Sequence, residues 1–259
     1  MPSVAVIGGS GLEKMLDKGG IVEVETQYGK PPPVTIGEVN GCEVAFIPRH
    51  GVKHEVPPHR VNYRAIIVGL RNLGVERVIA TNAVGAINEK YAPGDIAIPV
   101  DVIDFTKARP TTLYDSGPVV HTDVTEPYCP SLRRTLIESA KNKVKRLWTD
   151  SILVCTEGPR FETPAEIRMF RRLGCDLVGM TEVPEVFLAR EAGLCYAAVC
   201  FVSNMAAGLQ ARVTQEEVEE VAMKVTSVVN AIVSQSIMRL RNIEPCRCKS
   251  SAIQGEGDQ

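Results

Sequence analysis

The sequence has almost no net charge, no long apolar run and no secretion signal. Among its 259 residues, 29 Lys and Arg are balanced by 31 Asp and Glu, which gives a formal net charge of −2. A nucleic-acid-binding surface needs a basic excess, so this balance argues against nucleic acid and favours a small-molecule ligand. No uninterrupted apolar run reaches the roughly 18 to 20 residues of a membrane span. Because the N-terminus also lacks the basic and apolar regions of a signal peptide, we expect a cytoplasmic protein with no membrane partner.

The sequence also lacks an internal repeat and a linker rich in proline, glycine or serine. Hydrophobic residues make up 44% of the chain, enough for a sizeable core in one large domain. We expect that domain to cover residues 1–245 and a polar tail with a C-x-C pair to follow at 246–259. Residues 249–259 are polar enough to be disordered.

Short apolar runs alternate with amphipathic helical patterns along the chain. The runs predict strands over residues 4–7, 43–48, 77–81, 95–98, 151–155, 177–179 and 195–202. The helical patterns predict helices over residues 60–73, 131–147, 164–173, 182–192 and 214 to about 241. In the last of these, Thr214 and Glu217 can form a capping box where the helix begins. The alternation predicts an α/β fold, a single domain of three layers with a mixed central β-sheet flanked by helices.

Eight cysteines are many for a cytoplasmic protein, because the cytosol keeps thiols reduced, although intracellular proteins of hyperthermophiles are an exception. A disulfide within the C-x-C pair closes a small and strained ring, which leaves a redox role open. A metal site is disfavoured because no second pair at a recognised spacing supports it. We therefore expect no metal, and structural disulfides in a thermophilic protein. The candidate cysteines are Cys129, Cys195, Cys200, Cys246 and Cys248.

The loops after the first two predicted strands both suit an anion. In GGSGL, residues 8–12, glycines allow close backbone approach and Ser10 offers a hydroxyl, as a phosphate site needs. Lys14 stands where a dinucleotide fingerprint has its third glycine, which argues against a nicotinamide site. In the loop at 47–60, Arg49 beside His50 can hold an anion with its guanidinium fork. A zinc site is disfavoured there because the three histidines lack a second ligand cluster, and a solvated basic loop is the remaining alternative.

Five segments carry a resemblance to a known family. They are GGSGL at 8–12, RHG at 49–51, TNAVGAI at 81–87, EGPRFET at 157–163 and GMTEVPEV at 179–186. In this order and at these separations they resemble the trimeric or hexameric purine nucleoside phosphorylases and 5'-methylthioadenosine phosphorylases, from residue 3 to about 243. The resemblance implies a pentosyltransferase of purine salvage that cleaves purine nucleosides with inorganic phosphate to free base and ribose 1-phosphate. It also implies a homo-oligomer, trimer or hexamer, and no cofactor, since phosphate is a co-substrate.

This reaction fits a chain without a recognisable protein nucleophile. Breaking an N-glycosidic bond develops positive charge on the sugar and negative charge on the departing purine. An enzyme therefore gains by holding a phosphate anion under the sugar and by giving the base a hydrogen-bond partner. Neither task requires a metal or a nucleophilic side chain.

The resemblance assigns residues by motif. It implies that phosphate is bound by Ser10, Arg49, His50, Asn82, Thr181 and the backbone amide of Ala83. It implies contacts to the sugar and base from Phe161, Glu162, Met180, Asn204, Met205 and Ala206, and from His121, contributed by a neighbouring subunit. The expected catalytic residues are Arg49, His50, Glu162 and Asn204.

Glu162 and Asn204 determine which purine we expect the chain to prefer. A 6-oxopurine presents an N1–H donor and an O6 acceptor, whereas adenine presents an N1 acceptor and an N6 donor. A carboxylate can accept from N1–H, and an asparagine can donate to O6 or N7. The methylthioadenosine phosphorylases typically have serine at the position of Glu162 and aspartate at those of Asn204 and Ala206, and this chain departs from them at all three. We therefore expect a preference for inosine and guanosine.

Alternatives remain for these residues and for the chain. Asn204 follows an apolar run and also fits a turn, Glu162 fits an acid at a helix N-terminus, and Met180 fits a core position. The alternative activity is phosphorolysis of 5'-methylthioadenosine. The alternative from another class is a nucleotide-binding or thiol-redox protein.

Overall fold

The computed structural model describes residues 1–9, 16–117, 119–240, 246–250 and 252–254. The strands are β1 (Val4–Gly8), β2 (Asp17–Val22), β3 (Val34–Val39), β4 (Cys42–Pro48), β5 (Arg77–Ala86), β6 (Ile96–Ala97), β7 (Asp101–Phe105), β8 (Val120–Thr122), β9 (Leu147–Trp148), β10 (Ile152–Thr156), β11 (Leu177–Gly179), β12 (Cys195–Met205) and β13 (Ala252–Gln254). The helices are α1 (Tyr63–Asn72), α2 (Pro130–Ala140), α3 (Pro164–Arg172), α4 (Glu182–Glu191) and α5 (Gln215–Arg239), and short 3-10 turns lie at Pro58–Arg60 and Arg247–Ser250.

Eleven strands of the described residues form one mixed sheet around β5. Eight of them follow the order β2-β3-β4-β1-β5-β11-β10-β7, while β12 pairs with β5 and β6, and β6 pairs with β9. The strands β1, β4, β5 and β12 run parallel. β11 is antiparallel to β5, so β10 and β7, which are parallel to β11 and β10 respectively, also run in the opposite direction. This reversal of direction beside β5 creates the opening described below.

Alternating side chains of the sheet enter two cores, one on each face. Along β1, Ala5 and Ile7 belong to the core that includes α1 and α4, while Val4 and Val6 belong to the core that includes α2 and α5. A smaller cluster packs α3 against the sheet. The predicted three-layer α/β fold with a mixed sheet is therefore confirmed.

Side-chain caps lie where α1, α3 and α5 begin, and Asn62 Oδ1 accepts from the N–H of Ala65 at the first of them. Thr163 and Glu166 form a capping box at the start of α3, and the Thr214 hydroxyl accepts from the N–H of Glu217 at the start of α5. An 18-residue window of α5 has a mean hydropathy of 1.3, so this helix is long and apolar enough to cross a membrane by length and composition, as core helices can also be. The helix packs against α2 and β12 through a face that buries Val225, Val229, Ile232, Val233, Ser236 and Ile237.

The structure differs from the predicted elements at the centre and the edge of the sheet and at α2, which ends at Ala140 instead of residue 147. The sequence predicts strands that end at residues 81 and 202. Instead β5 continues to Ala86 and β12 to Met205, because the two strands pair along their whole length. β2 and β3 are not predicted because their glycine-containing, partly polar segments lack an apolar run. Residues 252–254, expected to be disordered, form β13 and pair with β8.

Candidate active site

Two strands end against the middle of β5 from opposite directions and leave part of its edge uncovered. β1 pairs with β5 as far as Ile7 and Ala80, whereas β11 pairs with it at Gly85 and Ala86. The C-terminal ends of β1 and β11 therefore face each other beside β5 residues 81–84. Open α/β sheets bind ligands beside the carboxyl ends of their strands. Ala83 is exposed there, although the residues on either side of it in β5 are buried.

Strand register brings three of the expected phosphate-binding residues to this opening. Arg49 follows β4, and its backbone N–H donates to the Gly8 carbonyl at the end of β1 at 3.1 Å. Thr181 follows β11, and its hydroxyl donates to Asn82 Oδ1 at 2.8 Å. Arg49 Nη1 lies 3.1 Å from the carbonyl oxygen of Thr81, the residue before Asn82. The ends of β4 and β11 and the middle of β5 thus form one polar cluster.

Arg49 is bound to a carboxylate that the sequence analysis does not assign. Its Nε and Nη2 atoms each donate to an oxygen of Glu185, both at 2.7 Å. Arg49 is 2% exposed and Glu185 is 0% exposed, so Arg49 is not part of a solvated basic loop. Burial disfavours the guanidinium charge, but the charge and hydrogen bonds of Glu185 outweigh burial and raise the pKa of Arg49. An anion in the opening would therefore share Arg49 with Glu185.

A second buried carboxyl, Glu182, lies next to the same residues. Its Oε2 atom accepts a hydrogen bond from Asn82 Nδ2 at 3.0 Å. The Tyr196 hydroxyl lies 3.2 Å from Glu182 Oε2 and 2.7 Å from Glu185 Oε1, so its one proton is shared between two acidic residues. Within the described part of the chain, Glu182 Oε1 has no hydrogen-bond partner. Burial and then the negative charge of Glu185 raise the pKa of Glu182 to about 7.

His50 is neutral at physiological pH, and its tautomer is fixed. Nδ1 lies 2.8 Å from the carbonyl oxygen of Val56. Because a carbonyl only accepts, Nδ1 carries the proton and Nε2 keeps its lone pair. Burial and then the charge of Arg49 lower the pKa of His50 to about 4. Nε2 can therefore accept a hydrogen bond or a proton from a ligand, including the hydroxyl of a singly protonated phosphate.

Glu162 is a buried carboxyl in the loop between β10 and α3. It is 8% exposed, and Thr156 Oγ1 donates to its Oε1 at 2.7 Å. Burial raises the pKa of Glu162. The acid in the first turn of α3 is Glu166, and Glu162 lies outside that turn, directly before the N-cap Thr163. Its carboxyl is placed to accept a hydrogen bond instead.

Asn204 lies inside β12 and not in a turn. The register of β12 against β5 shifts between Val202 and Asn204, so Ser203 forms a bulge, and a bulge re-aims neighbouring side chains. The Ser203 hydroxyl donates to Asn204 Oδ1 at 2.7 Å, and Asn204 Nδ2 donates to the Met205 carbonyl at 2.9 Å. Because an amide nitrogen carries two N–H groups, these bonds hold the side chain and leave one donor for a ligand.

The segments that carry Glu162 and Asn204 pack against each other. A Cβ atom at Gly208 would lie 2.7 Å from Pro164 Cβ, and Gly208 has a φ of +84°, so this close approach requires glycine. Ala206, 1% exposed, belongs to the core cluster that includes Ile167 and Phe170 of α3. The two segments expected to read the base therefore contact each other.

Arg109 connects the loop after β10 with the segment after β11. Its guanidinium donates to the carbonyls of Met180, Val183 and Glu157 at 2.8, 2.6 and 2.6 Å. Met180 is half-buried, and a Cβ atom at Gly158 would lie 2.7 Å from Met180 Sδ. Met180 therefore covers the loop between β10 and α3 and does not fill the interior of a core.

The remaining expected residues lie in different places. Met205 is half-buried, and its N–H donates to Gln210 Oε1 at 2.8 Å. Phe161 is 36% exposed. His121 is exposed on β8, in the small sheet with β13. Ser10 lies outside the described residues, so the structure gives no contact for it.

Sequence reasoning misses Glu182, Glu185 and Arg109. A signal was present for the first two, because they lie three residues apart in a segment whose other residues are largely apolar. Charged residues are rarely buried without partners, so acids at this spacing predict a buried cation, here Arg49. Arg109 offers no such signal, because most of its partners are backbone carbonyls of two distant segments, at Thr156 and Glu157 and at Met180 and Val183.

Comparison with known proteins agrees with this geometry. Residues 3–238 match the phosphorylase superfamily. A probable S-methyl-5'-thioinosine phosphorylase from Methanopyrus kandleri is 49% identical over 98% of this chain and 99% of its own length. A probable 6-oxopurine nucleoside phosphorylase from Moorella thermoacetica is 48% identical over 96% and 97%. The crystal structure of a methylthioadenosine phosphorylase from an antarctic soil metagenomic library has a TM-score of 0.92 and 34% identity over 96% of this chain and 90% of that one.

The chain therefore belongs to the phosphorylase superfamily. The family resemblance, the fold and the predicted enzyme class, a pentosyltransferase, are confirmed.

Proposed function

We propose that the protein cleaves purine nucleosides with inorganic phosphate and prefers those with a 6-oxopurine base. The observation that carries this preference is a buried carboxyl and a buried amide, Glu162 and Asn204, on two segments that pack against each other. Glu162 accepts from N1–H of inosine or guanosine, and Asn204 donates to O6 or N7. Adenine would place its N1 lone pair opposite the Glu162 carboxylate, and mispaired buried groups of this kind cost about 1–3 kcal/mol.

The polar cluster at the opening supports phosphate as the second substrate. His50 Nε2 offers an acceptor, the Thr181 hydroxyl can turn its proton from Asn82 Oδ1 to a ligand, and Ala83 is exposed. Arg49 supplies positive charge shared with Glu185. Phosphate attacks C1' while the base leaves with the bonding electrons. His50 Nε2 accepts the hydrogen bond of the phosphate hydroxyl, and the remaining N–H of Asn204 stabilises the negative charge that develops on the purine.

The names of the relatives support the 6-oxopurine preference and extend it to one further substrate. One relative is named for S-methyl-5'-thioinosine and another for 6-oxopurine nucleosides, and both bases present the same O6 and N1–H edge. Relatives named for S-methyl-5'-thioadenosine are also similar, at 46% identity, so that nucleoside is the competing substrate. The expected trimer or hexamer stays a prediction, to be measured by light scattering.

A substrate panel tests the proposal. Release of free base from inosine, guanosine, S-methyl-5'-thioinosine and S-methyl-5'-thioadenosine is measured with and without phosphate. We expect phosphate-dependent cleavage with kcat/KM higher for the three 6-oxopurine nucleosides. Faster cleavage of S-methyl-5'-thioadenosine would show that the preference is wrong, and no phosphate-dependent release would refute the activity itself.

Asn204→Asp tests the assigned base contact. An aspartate there accepts from the adenine amino group instead of donating to O6, so we expect the inosine-to-adenosine ratio of kcat/KM to fall by about tenfold or more. The ratio is the proper readout, because the new carboxylate also faces the Met205 carbonyl and reduces stability. Gln210→Ala is the matched control, since it removes a hydrogen bond to Met205 and should leave the ratio unchanged. An equal ratio in Asn204→Asp and wild type would contradict the assignment.

A further inference from the structure

Four cysteines come together at the end of the molecule where β12 begins. The Sγ atoms of Cys129, Cys195, Cys246 and Cys248 all lie within 4.8 Å of one another. Cys129 is the N-cap of α2 and Cys195 is the first residue of β12, while the other two lie in and next to the 3-10 turn of the C-terminal segment. Three of the four are buried and Cys246 is half-buried. The sequence does not reveal this group, because Cys129 and Cys195, which join the C-x-C pair, lie far apart in the chain.

We propose that these four cysteines form a structural zinc site that fastens the C-terminal segment to the core. A Zn–S distance of about 2.3 Å in a tetrahedral site places the sulfurs about 3.8 Å apart. Separations of at most 4.8 Å reach this arrangement with small side-chain rotations. The Cys195 and Cys246 sulfurs, 2.9 Å apart, must separate by roughly 1 Å. Four thiolates without a carboxylate or imidazole are a donor set that selects zinc over magnesium or calcium.

The backbone around the cluster is already held in place. The N–H of Cys129 donates to the Tyr196 carbonyl at 2.8 Å, and the N–H of Cys195 donates to the Glu76 carbonyl at 2.9 Å. Lys249 Nζ donates to Glu76 Oε1 at 2.6 Å and brings the C-terminal segment to the same place. A metal would therefore meet ligands whose positions need little reorganisation.

The N-terminus of α2 partly offsets the negative charge of a site with four thiolates. Four thiolates around one Zn²⁺ leave a net negative charge, and binding releases the thiol protons to solvent. Cys129 stands at the N-terminus of α2, where the positive end of the helix dipole favours a thiolate.

Disulfides are the competing arrangement for the same cysteines. A disulfide joins sulfurs in pairs about 2.0 Å apart, whereas each of these sulfurs is close to all three others. Among the described residues, which include all eight cysteines, no disulfide is formed. Cys200, an expected disulfide candidate, belongs to the core on the opposite face of the sheet from Cys195, because the two residues are five apart in a strand. Cys200 is therefore too far from the other candidates to form a disulfide with them. The mutual contact of the other four cysteines fits a metal site better than paired disulfides.

The site is structural and not catalytic. Cys195 and Asn204 lie at opposite ends of β12, and nine residues of strand span about 30 Å. All four coordination positions are supplied by the chain, as in structural zinc sites, which leave no position for a substrate.

Metal analysis of the full-length protein tests the proposal. The chain is purified under reducing conditions without added metal, and zinc is measured by mass spectrometry. We expect one zinc per chain in wild type, and loss of that zinc in Cys246→Ser and Cys129→Ser. Cys42→Ser is the matched control, because Cys42 is half-buried but lies outside the cluster, and it should keep one zinc per chain.

Cobalt substitution gives a readout that does not depend on the variants folding. Wild type refolded with Co²⁺ should show the thiolate-to-cobalt charge-transfer bands and the strong visible bands of a tetrahedral site, and Zn²⁺ should remove them. Removing zinc from wild type with a chelator should also lower Tm, with recovery on adding Zn²⁺. In protein prepared without a reductant, an intact mass lighter by two hydrogens per disulfide, together with no bound zinc, would overturn the proposal. Zinc bound equally by wild type and Cys246→Ser would overturn it too.

Discussion

Removing the carboxylate of Glu185 should destabilise the protein more than removing any surface acid. Arg49 and Glu185 are 2% and 0% exposed, and Glu185 also accepts from the Tyr196 hydroxyl at 2.7 Å. Glu185→Ala would leave the Arg49 charge buried, with a hydrogen bond to the Thr81 carbonyl but without its carboxylate partner. Breaking a buried ion pair on one side costs about 3–5 kcal/mol. At roughly 2–4 °C per kcal/mol for a chain of this size, Tm should fall by about 6–20 °C.

Thermal unfolding followed by calorimetry measures this shift, and a surface pair provides the control. Arg171 and Glu89 also form an ion pair, with side chains 52% and 61% exposed. Exposed pairs contribute about 0–1 kcal/mol, so Glu89→Ala should change Tm by only a few degrees. The double variant Arg49→Met with Glu185→Leu should recover part of the lost stability, because it leaves no buried charge. A Glu185→Ala protein that melts like Glu89→Ala would show that the pair is not buried in solution.

Two further predictions concern pH and follow from opposed pKa shifts. The pKa of His50 is lowered to about 4 in the folded chain. The protein therefore loses stability as the pH falls from ~6.5 to 4, because the unfolded chain binds the proton more readily. The pKa of Glu182 is raised to about 7 in the folded chain. The protein therefore loses stability as the pH rises from ~4.5 to 7, because the folded chain holds the carboxyl proton more tightly than the unfolded chain does. Urea unfolding of two variants separates these effects. Glu182→Gln keeps only the His50 effect, so its free energy of unfolding should fall by up to about 3 kcal/mol on acidification. His50→Asn keeps only the Glu182 effect, so its free energy of unfolding should fall by a similar amount as the pH is raised. If both variants keep the wild-type profile, these residues do not titrate as the structure indicates.

Much of the fold was predictable from local sequence. Apolar runs such as VAVI and apolar faces with a 3.6-residue period locate the main strands and helices, because burial on both faces of a sheet or on one face of a helix leaves a pattern in the residues themselves. The ends of β5 and β12 were not predictable, because Asn82 and Asn204 interrupt the apolar runs. Those residues remain in strands because the two strands pair beyond the apolar segment.

The candidate site divides in the same way. Motif resemblance indicated Glu162, Asn204, His50 and Thr181 as contact residues, and their chemistry follows from their side chains alone. The protonation state of His50 does not, because it depends on burial and on the Val56 carbonyl.

By itself the sequence determined the α/β fold, the family and the kind of chemistry, because these depend on periodic patterns and short motifs. Only the tertiary structure decided which groups meet. It pairs the Glu185 carboxylate with the Arg49 guanidinium, and it brings Cys129 and Cys195 next to the C-x-C pair. Contacts between distant parts of a chain leave no local pattern, since each partner is chosen by how strands and helices pack.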